Sequence, residues 1–184
     1  PASGSYQSLA LFIEGPGIRK TALHNIKSQT PPNHPSNRIL VPEVTETTIH
    51  RSFIDHGKER ISHGASVGTT QKVHYSLDLE TGSIIRVWRG DFLNATPMWD
   101  SRGNGVSLPI GNSVDLINGN IIKSVEGKTA ENYRFKGYVL DKQRRPTFNY
   151  EFNGQSFKDQ TMPDAESKYL VRTITSNNGT PFEA

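Results

Sequence analysis

The sequence predicts an all-β fold, an antiparallel β-sandwich carrying an extended N-terminal arm. Three observations point there. Several short stretches alternate apolar and polar residues with a period of two. Turn chemistry built from Gly and Asn separates them at roughly ten-residue intervals. No stretch sustains a 3.6-residue period, so long helices are not expected.

Residues 1–42 hold six of the eleven prolines: Pro1, Pro16, Pro31, Pro32, Pro35 and Pro42. "KSQTPPNHPSNRILVPE" cannot stay helical, and each proline also removes a ladder donor. This region reads as an arm or inter-domain linker, with 43–184 as the β-sandwich domain. Leu9, Leu11, Phe12 and Ile13 give the arm an apolar tip, so it is expected to dock on something. The start "PASGSY" reads as a processed product or a segment of a longer polypeptide.

Along the domain, "VHYSLDL" places Val73, Tyr75, Leu77 and Leu79 on one face and His74, Ser76 and Asp78 on the other. That is the pattern of a half-buried strand. "ETGS" then turns the chain into "IIRVWRG", giving a hairpin. "VDLINGNIIKS" is expected to repeat the arrangement about an Asn118-Gly119 turn. "YRFKGYVLD" and "PTFNYEFNGQSF" form the next pair, with Phe148, Tyr150 and Phe152 on one face and Asn153-Gly154 as a tight turn. "KYLVRTITSNNG" closes the series.

Composition narrows the chemistry. The 184 residues are 33% hydrophobic and 9% aromatic, enough for one lean core. The 21 basic and 18 acidic side chains give +3 with the signs interspersed. Without a basic stripe, a nucleic-acid partner is not expected. With no cysteine, the chain can form no disulfide, thiolate metal site, Cys nucleophile or CxxCH haem attachment of its own. No run approaches the ~18 apolar residues of a membrane span.

The densest stretch is "RVWRGDFLNATPMWDSRGNG". Trp88 is expected at the end of a strand, with Arg89-Gly90-Asp91 turning out of the sheet. Trp99 and Arg102 would follow in a glycine-containing loop. Trp88, Arg89, Asp91, Trp99, Asp100 and Arg102 are therefore the ligand-binding candidates, since Trp and Arg at a sheet edge can stack on and clamp a sugar. The plainer reading makes Trp88, Phe92 and Trp99 core, with Arg89 and Arg102 paired to Asp91 and Asp100.

Other motifs are weaker. Arg89-Gly90-Asp91 matches the integrin tripeptide, which occurs often by chance. The six histidines show no metal-ligand spacing, and no metal site is expected. "DSRGNG" lacks the alternating oxygens of an EF-hand loop. Asn94 and Asn178 sit in glycosylation sequons directly followed by Pro97 and Pro181. No GxSxG elbow is present. Asp78, Asp91, Asp100, Asp141 and Glu151 are carboxylates that an acid–base pair could draw on, but no catalytic residue is singled out.

The run from "HRSFIDHGKERISHG" through "VHYSLDLETGSIIRVWRGDFLNATPMWDSRGNG", then "LPIGN", "YRFKGYVLDKQRRPTFNYEF" and "YLVRTIT", resembles a β-domain of large exported bacterial proteins. Those proteins also carry c-type cytochrome domains and sugar-dehydrogenase-like propellers of the PQQ type. The likeness covers about residues 43–176. It rests on Trp88 to Phe92, Trp99 with Arg102-Gly103, Pro109 with Gly111, Gly137-Tyr138 with Asp141, and Pro146-Thr147-Phe148 with Tyr150.

The resemblance implies a periplasmic or cell-surface, multidomain redox or carbohydrate context. Haem there belongs to a partner or neighbouring domain, and this chain is expected to carry no cofactor. The function expected is thus a non-catalytic accessory β-domain that binds a partner chain or carbohydrate. A protein partner or neighbouring domain is expected to contact the N-terminal arm. The alternatives are a sugar-active hydrolase or lyase with a Trp/Arg/Asp site, and a self-assembling subunit with an exchanged arm.

Overall fold

In the computed structural model, which describes residues 40–41, 45–100 and 104–184, alternation in the sequence becomes two large antiparallel sheets and a small three-stranded one. The first contains β1 (Leu40–Val41), β2 (Thr48–His56), β3 (Glu59–Gly68), β4 (Val73–Asp78), β5 (Ser83–Asn94) and β6 (Leu108–Asp115), with α1 (Thr96–Asp100) between the last two. Its order is β1-β5-β4-β3-β2, and β6 pairs with the other side of β5. After β7 (Ser124–Val125) and β8 (Lys128–Thr129) come β9 (Arg134–Leu140), β10 (Pro146–Phe152), β11 (Gln155–Pro163) and β12 (Leu170–Ser176), which form the second sheet in the order β12-β11-β10-β9. β13 (Phe182–Glu183) returns to pair with β7.

The chain is therefore an all-β sandwich. Tyr75, Leu77, Leu79, Ala65 and Val67 from the first sheet meet Phe148, Tyr150, Phe152 and Phe157 from the second in one buried cluster. The Asn153-Gly154 turn forms with both residues at positive φ (50° and 78°), as a tight β10–β11 hairpin requires. The β4–β5 and β9–β10 pairings also form.

Four features differ from the sequence expectation. β4 is buried on both faces rather than one. Its polar face lies inside a curl of the first sheet, where Ser76 Oγ meets Ser66 Oγ at 2.8 Å and His74 packs between Trp88 and Phe92. The chain does not leave the sheet at Arg89-Gly90-Asp91, because β5 runs on to Asn94 along β6, with a register shift at Phe92. Gly90 lies opposite Gly111 there, and a Cβ on Gly111 would come 2.0 Å from the Arg89 carbonyl oxygen.

The Asn118-Gly119 hairpin does not form. Asn118 instead accepts from Thr81 Oγ1 at 2.8 Å and donates to Asp78 Oδ2 at 2.9 Å, tying this loop to the β4–β5 turn. Trp99 lies on α1 rather than in an irregular loop. The arm, residues 1–42, lies outside the described residues except for β1, which pairs with β5 at Leu93 and Asn94.

The curl is closed where the segment before β6 meets β2. Phe53 and Val106 form a parallel bridge, and Ser52 and Ser107 hydroxyls are 2.6 Å apart. Arg86 adds a latch, donating to Asp115 on β6 and to the Asp55 carbonyl on β2. Ile54, Ile61 and Ile85 fill one part of the curl, and Trp88, Phe92 and Leu93 another. Small residues on β3 make this possible: a Cβ at Gly68 would lie 2.9 Å from the Phe92 ring.

The second sheet holds a buried ion pair. Asp159 is fully buried, and Arg172 on β12 reaches it with Nε at 3.0 Å and Nη2 at 2.8 Å while also donating to the Gly82 carbonyl. Burial raises the Asp159 pKa, and Arg172 acts in the opposite direction. Since Gly82 belongs to the β4–β5 turn, this one guanidinium links the two sheets.

Candidate functional site

The β3–β4 turn and the Gly90 region of β5 enclose a cleft of about 190 Å³ lined by Thr45, Thr69, Thr70, Lys72, His74, Gly90, Asp91 and Phe92. His74 forms its floor. The Thr69 amide donates to Nδ1 at 3.1 Å, so Nε2 carries the proton and donates to the Gly90 carbonyl at 2.8 Å. Burial lowers the His74 pKa, and Lys72 adds in the same direction. The Gly90 carbonyl and Asp91 oppose it. A neutral ring with both nitrogens engaged has no lone pair left for a metal, and it holds the turn closed.

At the rim, Lys72 Nζ lies 3.8 Å from Asp91 Oδ1, with both side chains more than half exposed. Thr69 Oγ1 donates to the Val73 carbonyl at 2.8 Å, leaving Thr45 and Thr70 as the exposed hydroxyls. The chemistry offered is therefore a small polar cup with one cation, one carboxylate and two hydroxyls.

The six candidates from the dense stretch do not all meet at this cup. Trp88 is 2% exposed, stacks on Phe92 at 6.0 Å, and donates from Nε1 to the carbonyls of Asp91 and Phe92. Its ring is core. Arg89 reaches away to the carbonyls of Ser167 and Lys168 in the β11–β12 turn. Asp91 stands at the rim. Trp99 is 42% exposed on α1, where the neighbouring Met98 sulfur lies 3.5 Å from His50 Nε2. Asp100 ends α1, and Arg102 lies outside the described residues.

The remaining carboxylates are dispersed. Asp78 accepts from the Glu80 amide and from Asn118, Asp141 accepts from Arg145, and Glu151 lies 3.6 Å from Lys136. Desolvation pushes the Asp141 pKa up, but the hydrogen bonds from the Arg145 amide, the Arg145 side chain and the Gln143 amide together hold the carboxyl below the usual range. His63 Nδ1 meets both Ser62 Oγ at 3.1 Å and Glu80 Oε1 at 2.7 Å. Because one nitrogen serves both, this is not a relay from hydroxyl through imidazole to carboxylate. The Arg-Gly-Asp tripeptide lies within β5: all three residues pair with β6, Arg89 also pairs with β4, and Gly90 takes a positive φ of 120°.

Lys72, Thr69, Thr70 and His74 were not singled out by sequence reasoning. For His74 a signal existed: it is the one ring on the polar face of "VHYSLDL", two residues from Ser76. The turn "GTTQKV" carried no comparable mark.

Among the described residues, no group of three or more His, Asp or Glu side chains is arranged to hold a metal ion, and no helix is long and apolar enough to cross a membrane. Comparison of the chain with family models, with curated proteins and with solved structures gave no match.

Proposed function

We propose that this chain is a non-catalytic accessory β-domain that holds a partner chain or neighbouring domain in an extracytoplasmic redox or carbohydrate-processing assembly. The supporting observation is β6. It is the strand beyond β5, most of its side chains are exposed, and β2 approaches it at its two ends, through the Val106 bridge and the Arg86 latch. Val114 is 60% exposed, and Leu116 and Ile117 continue the apolar line at 41% and 92%. Exposed apolar groups along a strand edge offer a partner both backbone hydrogen bonds and burial.

At Trp88 a protein ligand is favoured over a sugar, whereas Trp99 keeps 42% of its surface exposed on α1. A sugar platform needs an open indole face, and Trp88 spends its face on Phe92 and its N–H on carbonyls. The enzyme alternative needs its Trp, Arg and Asp together, but Trp88 is buried, Arg89 reaches the β11–β12 turn, and Asp91 stands apart from both at the cleft, above an imidazole with both nitrogens in structural bonds.

Native mass spectrometry of the protein as isolated from its source, with a visible absorption spectrum of the same sample, tests the proposal. The expected result is a stable complex or longer polypeptide containing a second folded component, with haem absorption when that component is a cytochrome. A 20.5 kDa monomer whose Trp fluorescence responds saturably to sugars would overturn it.

A further inference from the structure

β12 is an outer strand of the second sheet, and among the described residues it pairs with β11 alone. That pairing runs residue for residue from Leu170 to Ser176 without a bulge. The Asp164 amide donates to the Tyr169 carbonyl at one end, and the Asn177 amide donates to the Ser156 carbonyl at the other. Backbone bonding in an antiparallel ladder alternates, so residues 171, 173 and 175 turn their amides and carbonyls toward β11. Those of Leu170, Arg172, Ile174 and Ser176 point out along the edge.

Strand edges are ordinarily guarded by bulges and outward charges. β2 shifts register between Ser52 and Ile54 and carries Arg51 and Asp55, while β9 bulges at Lys136 and also carries Arg134. β12 has neither guard. Its one charged side chain, Arg172, turns inward to Asp159, and Val171, Thr173 and Thr175 are exposed. Leu170 and Ile174 are only partly buried against the core.

We propose that a second copy of this chain pairs with β12, strand to strand and antiparallel about a two-fold axis at Thr173. Thr173 is the midpoint of the strand, so this register uses all 7 residues of β12. Leu170 and Arg172 then exchange backbone hydrogen bonds with Ser176 and Ile174 of the second copy, and the sheet continues across the axis. Val171 faces Thr175 and Thr173 faces itself, both favourable β-branched pairs. Charge agrees with the register: no charged side chain lies directly opposite another, and each Arg172 keeps its own Asp159. The β6 edge belongs to the first sheet and stays open to the partner chain proposed above, so the two proposals can fail separately.

Sedimentation of the full chain, with two single-cysteine variants, tests this, since the natural sequence has no cysteine. The wild type should form a reversible, concentration-dependent dimer. Thr173→Cys sets two thiols directly opposite at the axis, at a non-hydrogen-bonded site where side chains approach most closely. Thr175→Cys, also exposed, leaves its two thiols ~13 Å apart along the strands, beyond disulfide reach. On oxidation, Thr173→Cys should give severalfold more covalent dimer than Thr175→Cys. A wild type that stays monomeric at the cross-linking concentration would overturn the proposal, and slow exchange of the β12 amides in that monomer would mean another segment of the chain covers the edge. Equal cross-linking at the two positions would put any dimer on a different surface and would overturn it as well.

Discussion

Replacing Arg172 with Met should cost this domain far more than the loss of an ordinary surface ion pair. The Asp159 side chain is 1% accessible, and Arg172 supplies it with two hydrogen bonds while bridging to the Gly82 carbonyl. Removing the guanidinium leaves a carboxylate in the interior without its counter-charge, a change that typically costs about 3–5 kcal/mol. For a chain of this length that corresponds to a Tm lower by about 6–20 °C.

The sign of the pH dependence follows from Asp159. Burial already raises its pKa from 3.8 against the pull of Arg172, and without Arg172 the burial effect is unopposed. A carboxyl whose folded pKa lies above its unfolded value is best tolerated when protonated. The deficit of Arg172→Met should therefore be smallest near pH 4 and grow as pH rises through the raised folded pKa. Adding Asp159→Leu should recover much of the loss, because a well-packed apolar pair can replace a buried ion pair. Urea unfolding of the wild type, the single variant and the double variant between pH 4 and 8 reads all three effects. A deficit below about 1 kcal/mol that is flat with pH would mean the pair behaves as an exposed one, and the reasoning would fail.

Other outcomes follow from the same structure. Trp88→Ala should lower stability by about 3–5 kcal/mol by emptying the curl beside Phe92, measured by chemical denaturation. His74 has a folded pKa below 6.5, so its contribution is complete above that value and is lost as pH falls below it. His74→Gln should flatten the pH 7.5-to-5 part of the stability profile, although His50, also lowered by burial, keeps its own share. Gly111→Ala puts a Cβ against the Arg89 carbonyl at φ 143° and should destabilise by about 1–3 kcal/mol, seen as a lowered Tm. Arg89→Ala removes bonds to two turn carbonyls at an exposed position and should cost only about 1 kcal/mol, with faster hydrogen exchange in the 164–169 turn.

Strand periodicity and turn pairs were legible because both are local. Phe148, Tyr150 and Phe152 could be assigned to one buried face from spacing alone, and Asn153-Gly154 formed the turn its residues favour. The Asn118-Gly119 signal misled for a physical reason: Asn118 gains two side-chain hydrogen bonds, to Thr81 and Asp78, in place of a hairpin. The curl was hidden because its determinants are distant contacts. Ser52 with Ser107, and Arg86 with Asp115 and Asp55, join positions 29 to 55 residues apart. The same holds for the site. Trp88 and Arg89 look like a clamp in sequence, yet adjacent strand residues point to opposite faces, sending the indole inward and the guanidinium to the far turn.

Hydrogen exchange on the chain within its native assembly, compared with the isolated chain, tests the central claim most directly. Docking on the β6 edge predicts slowed exchange across Leu108–Asp115 and at Leu116 and Ile117, with the buried β4 unchanged. Unchanged exchange along β6, with new protection confined to the Thr70, Lys72 and Asp91 cleft, would contradict the account and move the binding site to the polar cup.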